Sequence, residues 1–508
     1  MDATFGTGGK VFTTFTAAPT TDAAAAVVLQ PDGKLVVAGQ GAAGLEIARY
    51  NPTGALDPTF GTDGKVTYLV APPTGSPCFA TNPGTVPVIT YAMTLQADGK
   101  LVVAGSAASK ASFVARFLPT GALDTGFGTN GITYVCGGTV AGYPVRVGRQ
   151  PTGELLVMAH RVGINSGNYP IGAGNPAVYR LQANGTLDNS YVGDLGRSYA
   201  RFTDGFVDNA GRAIAVGFQD VAESGSSTIT RQLIVARRLP TGAADPAFGT
   251  AGVAELRQLD NAPVAGRSVS ELPGGQFLVL GETRGATASL FLARFTATGT
   301  LDATFGTNGT VNLGLLTAND FTEMSLLADA KILLVGSVNN DFALRRLLPT
   351  GQPDLTYGLN SYLTVNEDAV DRLTDVVEQP DGNTVAVGFA AATATGQNSR
   401  FAVLRAARAP IGLATRGRTT TGELRVTPNP VSGHSLRVEV GGLASAPGPV
   451  TVELLSSLGQ VIARTTAAPA GIGRRHTATL TMPTLPVGVY LLRARSAGSV
   501  AVTRVLMQ

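Results

Sequence analysis

Few residues in this sequence have the types and spacing that carry catalysis or metal binding. The three histidines are His160, His434 and His476, and no two of them have the spacing of zinc ligands. The two cysteines, Cys78 and Cys136, are 58 residues apart, too far for a local metal-binding pair. We therefore expect no catalytic residue, no metal site and no cofactor. For the cysteines two states stay open, a disulfide between neighbouring repeats or free thiols.

Two short glycine motifs are similar to reactive loops, but a structural role explains each of them better. The stretch 6–10 reads G-T-G-G-K, and a phosphate-binding loop needs a longer spacing followed by Ser or Thr. The same pattern returns at 61–65, which indicates a repeated turn. Gly433-His434-Ser435 lacks the second glycine of a nucleophile elbow, so we interpret it as a surface loop.

An arginine and an aspartate recur along most of the chain. The aspartate belongs to an L-D-x-x-F-G element, as at Asp57, and the arginine precedes it by eight residues. A residue required in every repeat is more economically part of the framework than of one site. We expect an Arg–Asp contact, or a contact to carbonyl groups, at junctions between repeats, with the Phe packed between sheets. The arginines are Arg49, Arg116, Arg180, Arg237, Arg294, Arg346 and Arg405.

Ligand binding is expected where the repeats differ from one another. The irregular insertions are 71–88, 160–175, 219–230 and 390–399, and strand parity predicts that all four emerge on one face. Polar and aromatic residues in them are candidates for contacts to a glycan or a protein. The candidates are Phe79, Asn82, His160, Arg161, Asn165, Asn168, Tyr169, Asn175, Asp220, Glu223, Gln397 and Asn398.

The elements that position these residues are seven repeats. The segment 29–39, L-Q-P-D-G-K-L-V-V-A-G, returns almost unchanged at 95–105, and five weaker copies follow at a mean spacing of about 58 residues. Each unit contains four short apolar strands separated by turns. Pro31-Asp32-Gly33 suits a type I turn with a left-handed glycine. Four strands repeated seven times predict an all-β fold, a seven-bladed β-propeller.

The point within the repeat at which the sequence starts predicts how the ring of blades closes. The L-D-x-x-F-G element is missing after the seventh unit, at 401–405, whereas the chain begins with Asp2-Ala3-Thr4-Phe5-Gly6 and a short strand. An N-terminal strand that completes the last blade would remove the open sheet edges. We therefore predict one propeller over residues 1–405. The alternative is that Met1 truncates a longer chain within a repeat.

These elements resemble the delta-60 repeat family of bacterial proteins. The family carries the same L-D-x-x-F-G-x-x-G-x-V, Q-P-D-G-K-I/L-x-V-A-G and A-R-Y/F elements, and the resemblance covers residues 2 to 408. It implies a repeat fold and no established reaction.

The last ninety residues differ in composition from the repeats. Residues 406–422 are predicted to be a linker, and 423–508 a small immunoglobulin-like β-sandwich of short alternating strands. This segment resembles the C-terminal sorting domain of type IX secretion, with an immunoglobulin-like module of other function as the alternative. The positions that match are Pro428, Asn429, Pro430, Gly459, Gly488 and Tyr490.

The sorting resemblance implies a partner and a location. The partner is the type IX secretion machinery, and the protein is expected to be secreted or held at the outer cell surface of a Bacteroidetes-type bacterium. Such cargo also carries a signal peptide, and the start of this sequence does not have the pattern of one. We interpret this as a missing leader.

Composition narrows the function further. The net charge of +3 is too small for a nucleic-acid-binding field, and no apolar run approaches the roughly 18 residues of a membrane span. We expect a monomeric, non-catalytic binding or adhesion protein with an extracellular ligand. One alternative is a glycan-active hydrolase or lyase that uses Asp220 and Glu223. The other is a structural or adhesive element without a discrete pocket.

Overall fold

We describe the fold from a computed structural model of the chain. It describes residues 1–507 except 17–20, 43, 72–87, 108–110, 136–139, 164–174, 192, 223–228, 286, 317–318, 409–422, 428, 430, 432, 442–449, 456–460, 470–475, 484, 486–487 and 497–498. The chain divides into two compact units, one of residues 1–357 and 361–410 and one of residues 411–508 with 358–360. In the described residues every regular element is a strand, and no helix there is long and apolar enough to cross a membrane.

The strands of the first unit are short and follow one another closely. They are β1 (Lys10–Thr13), β2 (Ala23–Leu29), β3 (Leu35–Gly41), β4 (Gly44–Tyr50), β5 (Lys65–Tyr68), β6 (Val88–Leu95), β7 (Leu101–Ala107), β8 (Ala111–Phe117), β9 (Ile132–Val135), β10 (Val140–Arg149), β11 (Leu155–Gly163), β12 (Pro176–Leu181), β13 (Ala200–Val207), β14 (Ala213–Ala222), β15 (Ile229–Arg238), β16 (Val253–Leu256), β17 (Gln258–Leu259), β18 (Ala262–Glu271), β19 (Phe277–Thr283), β20 (Ser289–Phe295), β21 (Thr310–Leu315), β22 (Asn319–Leu326), β23 (Ile332–Val338), β24 (Asp341–Leu347), β25 (Tyr362–Val365), β26 (Val370–Glu378), β27 (Thr384–Ala391) and β28 (Ser399–Ala406).

These strands form seven antiparallel sheets within the described residues. In chain order, which we use to number the sheets from 1 to 7, they are β2-β3-β4-β5, β6-β7-β8-β9, β10-β11-β12, β13-β14-β15-β16, β17-β18-β19-β20-β21, β22-β23-β24-β25 and β26-β27-β28-β1. The last sheet takes its outer strand from the start of the chain, with Lys10 opposite Leu404 and Thr13 opposite Phe401.

The strands that begin the repeats are neighbours in a cyclic order. β2 contacts β6, and the contacts continue through β10, β13, β18, β22 and β26, which in turn contacts β2. These strands, which we call the inner strands, therefore lie around a common axis. The apolar residues between neighbouring sheets form a series of buried clusters, because each sheet buries both of its faces.

The turn after each inner strand has the predicted geometry. The Gly33 amide donates to the Gln30 carbonyl at 2.9 Å, and Gly33 has a φ of 82°. Five other repeats place a glycine of positive φ at the same position, and the sixth repeat places Ala330 there with a φ of 63°. The type I turn with a left-handed third residue is confirmed.

Each inner strand also contains a β-bulge at the same place, which the repeat pattern did not predict. The unpaired residue is Ala25 in β2 and Arg267 in β18, and the corresponding irregularity occurs in all seven inner strands. A bulge shifts the side-chain alternation by one residue and so changes which side chain points to the axis. The residues directly after the bulge, which we call the axial ring, are Ala26, Ala92, Arg146, Asp204, Ser268, Glu323 and Asp375.

Two sheets depart from the four-stranded pattern that we expected in every unit. In sheet 3 the described residues contain three strands, and a single bridge between Ala177 and Asp194 takes the place of the fourth. This is the repeat with the degenerate element at Asp188, and residues 191–196 lack the alternating apolar residues of a strand. Sheet 5 gains the two-residue strand β17 in front of β18.

The second unit is a separate antiparallel β-structure. Its strands are hydrogen-bonded in the order β29-β30-β33-β32-β31-β34-β35, and their apolar residues share one core that includes Val438, Val452 and Leu492. Glu453 is buried on β31, where hydrogen bonds from Arg493 and Arg464 and their charges lower its pKa. The strands are β29 (Glu423–Thr427), β30 (Ser435–Gly441), β31 (Val450–Leu455), β32 (Val461–Pro469), β33 (His476–Thr481), β34 (Gly488–Ser496) and β35 (Ser499–Met507).

Candidate functional site

The recurring arginines and aspartates form contacts between consecutive repeats. Arg49 donates from Nε to Asp57 at 2.8 Å, and from Nη1 to the carbonyl of Pro119 in the next repeat at 2.7 Å. Its guanidinium lies 4.7 Å from the centre of the Phe60 ring. Burial by itself would raise the pKa of Asp57, but hydrogen bonds from Thr59 and the charge of Arg49 lower it to about 2.

The same arrangement occurs in every repeat. All seven Arg–Asp pairs have an Nε–Oδ2 separation of 2.8 Å, and in all seven the guanidinium lies over the ring of the Phe or Tyr three residues after the aspartate. The predicted structural role of both columns is confirmed. The pairs are Arg49–Asp57, Arg116–Asp124, Arg180–Asp188, Arg237–Asp245, Arg294–Asp302, Arg346–Asp354 and Arg405–Asp2.

The axial ring holds an unusual concentration of charge. Arg146 donates from Nε to Asp204 at 2.5 Å and forms an ion pair from Nη2 with Glu323 at 2.8 Å. Ser268 Oγ lies 2.8 Å from Asp204 Oδ2 and 3.1 Å from Glu323 Oε1. Charged residues of three different sheets therefore meet at the axis.

The axial-ring acceptors also bind backbone amides of the following sheet. Asp204 accepts from the Val269 amide at 2.9 Å, and Asp375 accepts from the Val27 amide at 2.8 Å. Ser268 accepts from the Met324 amide at 3.2 Å in the same way. Each of these amides lies one residue beyond the axial-ring position. The bulge disturbs the ladder next to them, so an oxygen of the neighbouring sheet supplies the hydrogen-bond partner that a buried amide requires.

One arginine and three carboxylates lie in this ring, and burial together with the excess of negative charge shifts their pKa values. Burial raises the pKa of Glu323 well above its usual range, and the negative charges of Asp204 and Asp375 add to this effect. Burial also raises the pKa of Asp375. Desolvation alone would lower the pKa of Arg146, but the three carboxylates outweigh it and raise that pKa. The charges of this cluster therefore depend on one another, and the balance between Arg146 and its carboxylates governs it.

A cleft of about 370 Å³ opens on the side of the axis where the inner strands begin. Strand parity places the insertions on this same side, which we call the insertion face. The cleft lies among sheets 4 to 7 and combines cationic, anionic and hydroxyl side chains. Its lining includes Thr203, Phe218, Arg267, Glu282, Arg284, Asp320, Thr322 and Arg372.

Both carboxylates of the cleft are held by arginines. Arg267, the bulge residue of β18, pairs with Glu282 and also with Asp320, the latter at 2.7 Å. Arg284 pairs with Glu282 at 2.5 Å, and Arg372 pairs with Asp320 at 2.9 Å. Because each carboxylate accepts from two guanidinium groups, neither is placed to act as a general acid.

A histidine of sheet 3 lies against β13, the inner strand that contributes Thr203 to the cleft, and an exposed tyrosine directly precedes that strand. The His160 ring stacks on Tyr143 with 5.1 Å between centres, and burial together with the charge of Arg201 lowers its pKa to about 4. Arg201 is exposed and pairs across the sheet with Phe218. Tyr199, two residues earlier, is 60% exposed and has a φ of 61°. A bulky residue in this backbone region is strained, and such strain concentrates at functional sites.

Comparison with known proteins agrees with the sheet topology. Residues 30–60, 96–127 and 327–357 match a family model described as a domain of unknown function (DUF5122) β-propeller. The chain is a β-propeller repeat protein. No curated protein matches the sequence.

Solved structures similar to this propeller have low sequence identity. An α-L-arabinanase of Penicillium chrysogenum aligns at 14% identity and a TM-score of 0.41, over 66% of this chain and 96% of that chain. The Nup133 β-propeller domain of Vanderwaltozyma polyspora aligns at 8% identity and a TM-score of 0.36, over 78% of this chain and 100% of that chain. Prolyl oligopeptidase B of Galerina marginata aligns at 11% identity and a TM-score of 0.39, over 84% of this chain and 56% of that chain. The aligned part of this chain therefore spans just over half of that protein.

The structure places some of the candidate residues predicted from the sequence. His160 lies between Tyr143 and β13, as described above, and is not part of the cleft lining. Asp220 forms an ion pair with Arg231, with 2.7 Å from Nε to Oδ1, and the Arg231 guanidinium lies 3.9 Å from the Phe218 ring centre. Gln397 and Asn398 are exposed in the connection between β27 and β28 of sheet 7.

The other candidates are less defined. Asn175 is half-buried directly before β12, and Arg161 lies on β11, with its side chain outside the described part. In the second unit Gly488 begins β34, Tyr490 follows on the same strand, and Asn429 lies in a bend after β29. The remaining candidates lie outside the described residues. They are Phe79, Asn82, Asn165, Asn168, Tyr169, Glu223, Pro428, Pro430, Gly459 and the two cysteines, Cys78 and Cys136.

The prediction from the sequence missed the arginines of the cleft, because it considered only residues of the insertions as ligand contacts. Arg267 and Arg372 lie within inner strands, and Arg284 lies directly after β19. A signal for them is present in the sequence. In β2, the inner strand of sheet 1, alanines occupy the positions that align with Arg267 and Arg372. An arginine at either position therefore departs from the repeat pattern.

Proposed function

We propose that residues 1–405 form a closed seven-bladed propeller that binds a ligand in the cleft of its insertion face without catalysing a reaction. Three observations support the closed form. The described residues of the first unit contain seven sheets, their inner strands contact one another in cyclic order, and β1 pairs with β28.

The cleft is the observation that carries the binding function. It opens at the axis, where four sheets converge, and its polar groups point into a space of about 370 Å³. Pockets of this size with a few convergent polar groups are typical ligand sites. An adhesive element that used only the flat surface of the disc would not require such a cleft.

The ion pairs favour binding over the glycan-active hydrolase or lyase alternative. Glu282 and Asp320 each bind two arginines, and Asp220, one of the two carboxylates proposed for catalysis, is paired with Arg231. The oxygens of a carboxylate that is held by guanidinium groups are already engaged, so the carboxylate is poorly placed to exchange a proton with a substrate.

We further propose that the second unit is an immunoglobulin-like sandwich that serves as a type IX sorting domain. Its antiparallel strand order and the positions of Gly488 and Tyr490 at the start of β34 support this assignment. The protein would then reach the outer cell surface or the medium, where its ligand is a glycan or a protein.

The binding function is tested by thermal unfolding of the full chain with polysaccharides and peptides. A ligand at one hundred times its dissociation constant stabilises the native state by about 2.7 kcal/mol. We expect one ligand class to raise the melting temperature, and the rise to be lost in Arg284→Gln. No rise with any ligand would contradict a binding cleft and favour the adhesive alternative. Turnover of the bound compound would favour the enzyme.

A further inference from the structure

The side chains around the cleft carry an excess of positive charge. Three arginines line the cleft, namely Arg267, Arg284 and Arg372, whereas its acidic residues are Glu282 and Asp320. Each arginine has an acidic partner, but two carboxylates are shared among three guanidinium groups, so the lining carries one positive charge in excess.

The arginines differ in how much of their hydrogen-bonding capacity is already used. Arg267 binds Glu282, Asp320 and the Phe321 carbonyl, so it serves to position the two carboxylates. The side chains of Arg284 and Arg372 are 49% and 38% exposed, and the shortest contact of each to its carboxylate comes from Nη2. Their exposed parts are accessible to a planar anion, which arginine binds with two parallel hydrogen bonds.

The axial ring beneath the cleft does not cancel this charge. Arg146 neutralises part of the charge of the ring through its ion pairs with Asp204 and Glu323, and burial raises the pKa values of Glu323 and Asp375. An anion in the cleft therefore meets guanidinium groups at its sides.

An exposed aromatic side chain directly precedes β13, the strand that contributes Thr203 to the cleft. Tyr199 is 60% exposed, and its carbonyl accepts from the Asp220 amide at 3.0 Å, which fixes the strained backbone that presents the ring. It precedes Arg201 by two residues, and Arg201 pairs with the cleft residue Phe218. Amphipathic aromatic rings combine apolar contact area with a polar edge, which suits the stacked face of a sugar ring.

We infer that this cleft binds an acidic polysaccharide through the carboxylates of its uronate residues. The inference rests on the proposed binding function and names its ligand class. Arg284 and Arg372 bind uronate carboxylates, Arg267 and its two acidic partners keep the cleft in shape, and Tyr199 stacks on a neighbouring sugar ring. Thr203 and Thr322 also line this space, and their hydroxyl oxygens, which donate to backbone carbonyls, accept hydrogen bonds from sugar hydroxyls.

Calorimetric titration of the full chain with a galacturonate oligosaccharide tests this inference. Neutral galactan oligosaccharide, a sulfated oligosaccharide and poly-L-glutamate serve as comparison ligands. We expect binding of the galacturonate that is at least tenfold tighter than binding of the other three and that weakens as salt rises. Arg284→Gln and Arg372→Gln each weaken it at least tenfold, and Tyr199→Ala weakens it several-fold.

Two controls keep the titration interpretable. Arg437→Gln removes an exposed arginine of the second unit and leaves binding unchanged. Arg284→Lys retains the charge without the planar fork and restores only part of the affinity. Circular dichroism melting of every variant shows that it is folded.

The outcomes separate this inference from the proposed function. Equal binding of the neutral oligosaccharide, unaffected by Arg284→Gln, would overturn the acidic ligand but keep a binding cleft. Tighter binding of poly-L-glutamate would indicate an acidic peptide, and tighter binding of the sulfated sugar would overturn the carboxylate assignment. If no compound in the wider thermal panel binds either, both proposals fail.

Discussion

Arg405 and Asp2 form an ion pair with 2.8 Å between Nε and Oδ2, although they lie at opposite ends of the first unit. The other six pairs of this kind join residues eight positions apart. Arg405 also donates to the carbonyl of Pro52 at 2.7 Å, and the Gly6 amide donates to the carbonyl of Thr53 at 2.8 Å. The seventh pair thus ties sheet 7 to sheet 1 by the same contacts that join consecutive repeats.

The closing pair should contribute measurably to stability. Asp2→Asn leaves Arg405 with its charge in a largely buried position, and removal of one partner of such a pair typically costs about 3 kcal/mol. We expect this decrease in the free energy of urea unfolding. Asp63→Asn, at an exposed turn residue with a φ of 51°, is the matched control and should change little. A loss below about 0.5 kcal/mol, the usual range for surface substitutions, would show that the pair does not hold the ring closed.

Glu46 gives the propeller a defined response to pH. It is fully buried, both of its carboxylate oxygens lack a hydrogen-bond partner in the described structure, and burial with the charge of Asp22 raises its pKa from 4.5 to about 8. The native state keeps a proton that the unfolded state has lost. The free energy of unfolding therefore falls as the pH rises from about 4.5 to about 8.

Glu46→Gln removes this titration. We expect the variant to be more stable than the parent at pH 8.5 and to lose less stability between pH 5 and pH 8.5. Melting temperatures across this range measure the effect, again with Asp63→Asn as the control. Parallel curves for the parent and Glu46→Gln would contradict the raised pKa.

Removal of the axial-ring arginine should also make the free energy of unfolding fall more at high pH than at low pH. Arg146→Met leaves Asp204, Glu323 and Asp375 without a positive partner, and the loss of a buried ion-pair partner costs about 3–5 kcal/mol. Protonation of the carboxyl groups relieves part of that cost at low pH. We expect a larger decrease in the free energy of urea unfolding at pH 8 than at pH 5, and partial recovery in Arg146→Met/Glu323→Gln. An equal decrease at both pH values would show that charge balance does not govern the ring.

Ala330 occupies a backbone position that suits glycine. Its φ is 63°, and the corresponding residue is glycine in the other six repeats. The left-handed conformation costs a non-glycine residue about 1–2 kcal/mol, part of which the greater flexibility of unfolded glycine offsets. Ala330→Gly should therefore stabilise the protein by about 0.5–1 kcal/mol in urea unfolding. Ala297→Gly, at a turn residue without positive φ, should destabilise it, and loss of stability in both variants would contradict the strain at Ala330.

The features that recur in every repeat could be predicted from the sequence. The contact between Arg49 and Asp57, the packing of Phe60 and the left-handed Gly33 depend on residues close in the chain, and seven copies make their common role visible. The axial ring could not be predicted in this way. A bulge shifts the alternation by one residue, so Arg146 and Glu323 cannot be assigned to the axis from a period of two.

The cleft was not predicted from the sequence. The insertions were expected to bind the ligand, but none of their described residues lines the cleft, and the arginines that give the cleft its charge lie on or next to the strands. Arg267 and Arg372 are brought to Asp320 by the packing of sheets 5 and 7 against sheet 6. That packing joins residues more than fifty positions apart, which no local pattern encodes.

Hydrogen exchange of the full chain, with and without the ligand that raises its melting temperature most, tests the position of the site directly. We predict slower exchange in peptides covering residues 263–268, 281–285, 319–323 and 370–374, which contribute to the cleft. Exchange should be unchanged in the turns at 30–34 and 96–100 on the opposite face. Protection of those turns, or no protection around the cleft, would contradict the assignment of the insertion face as the binding surface.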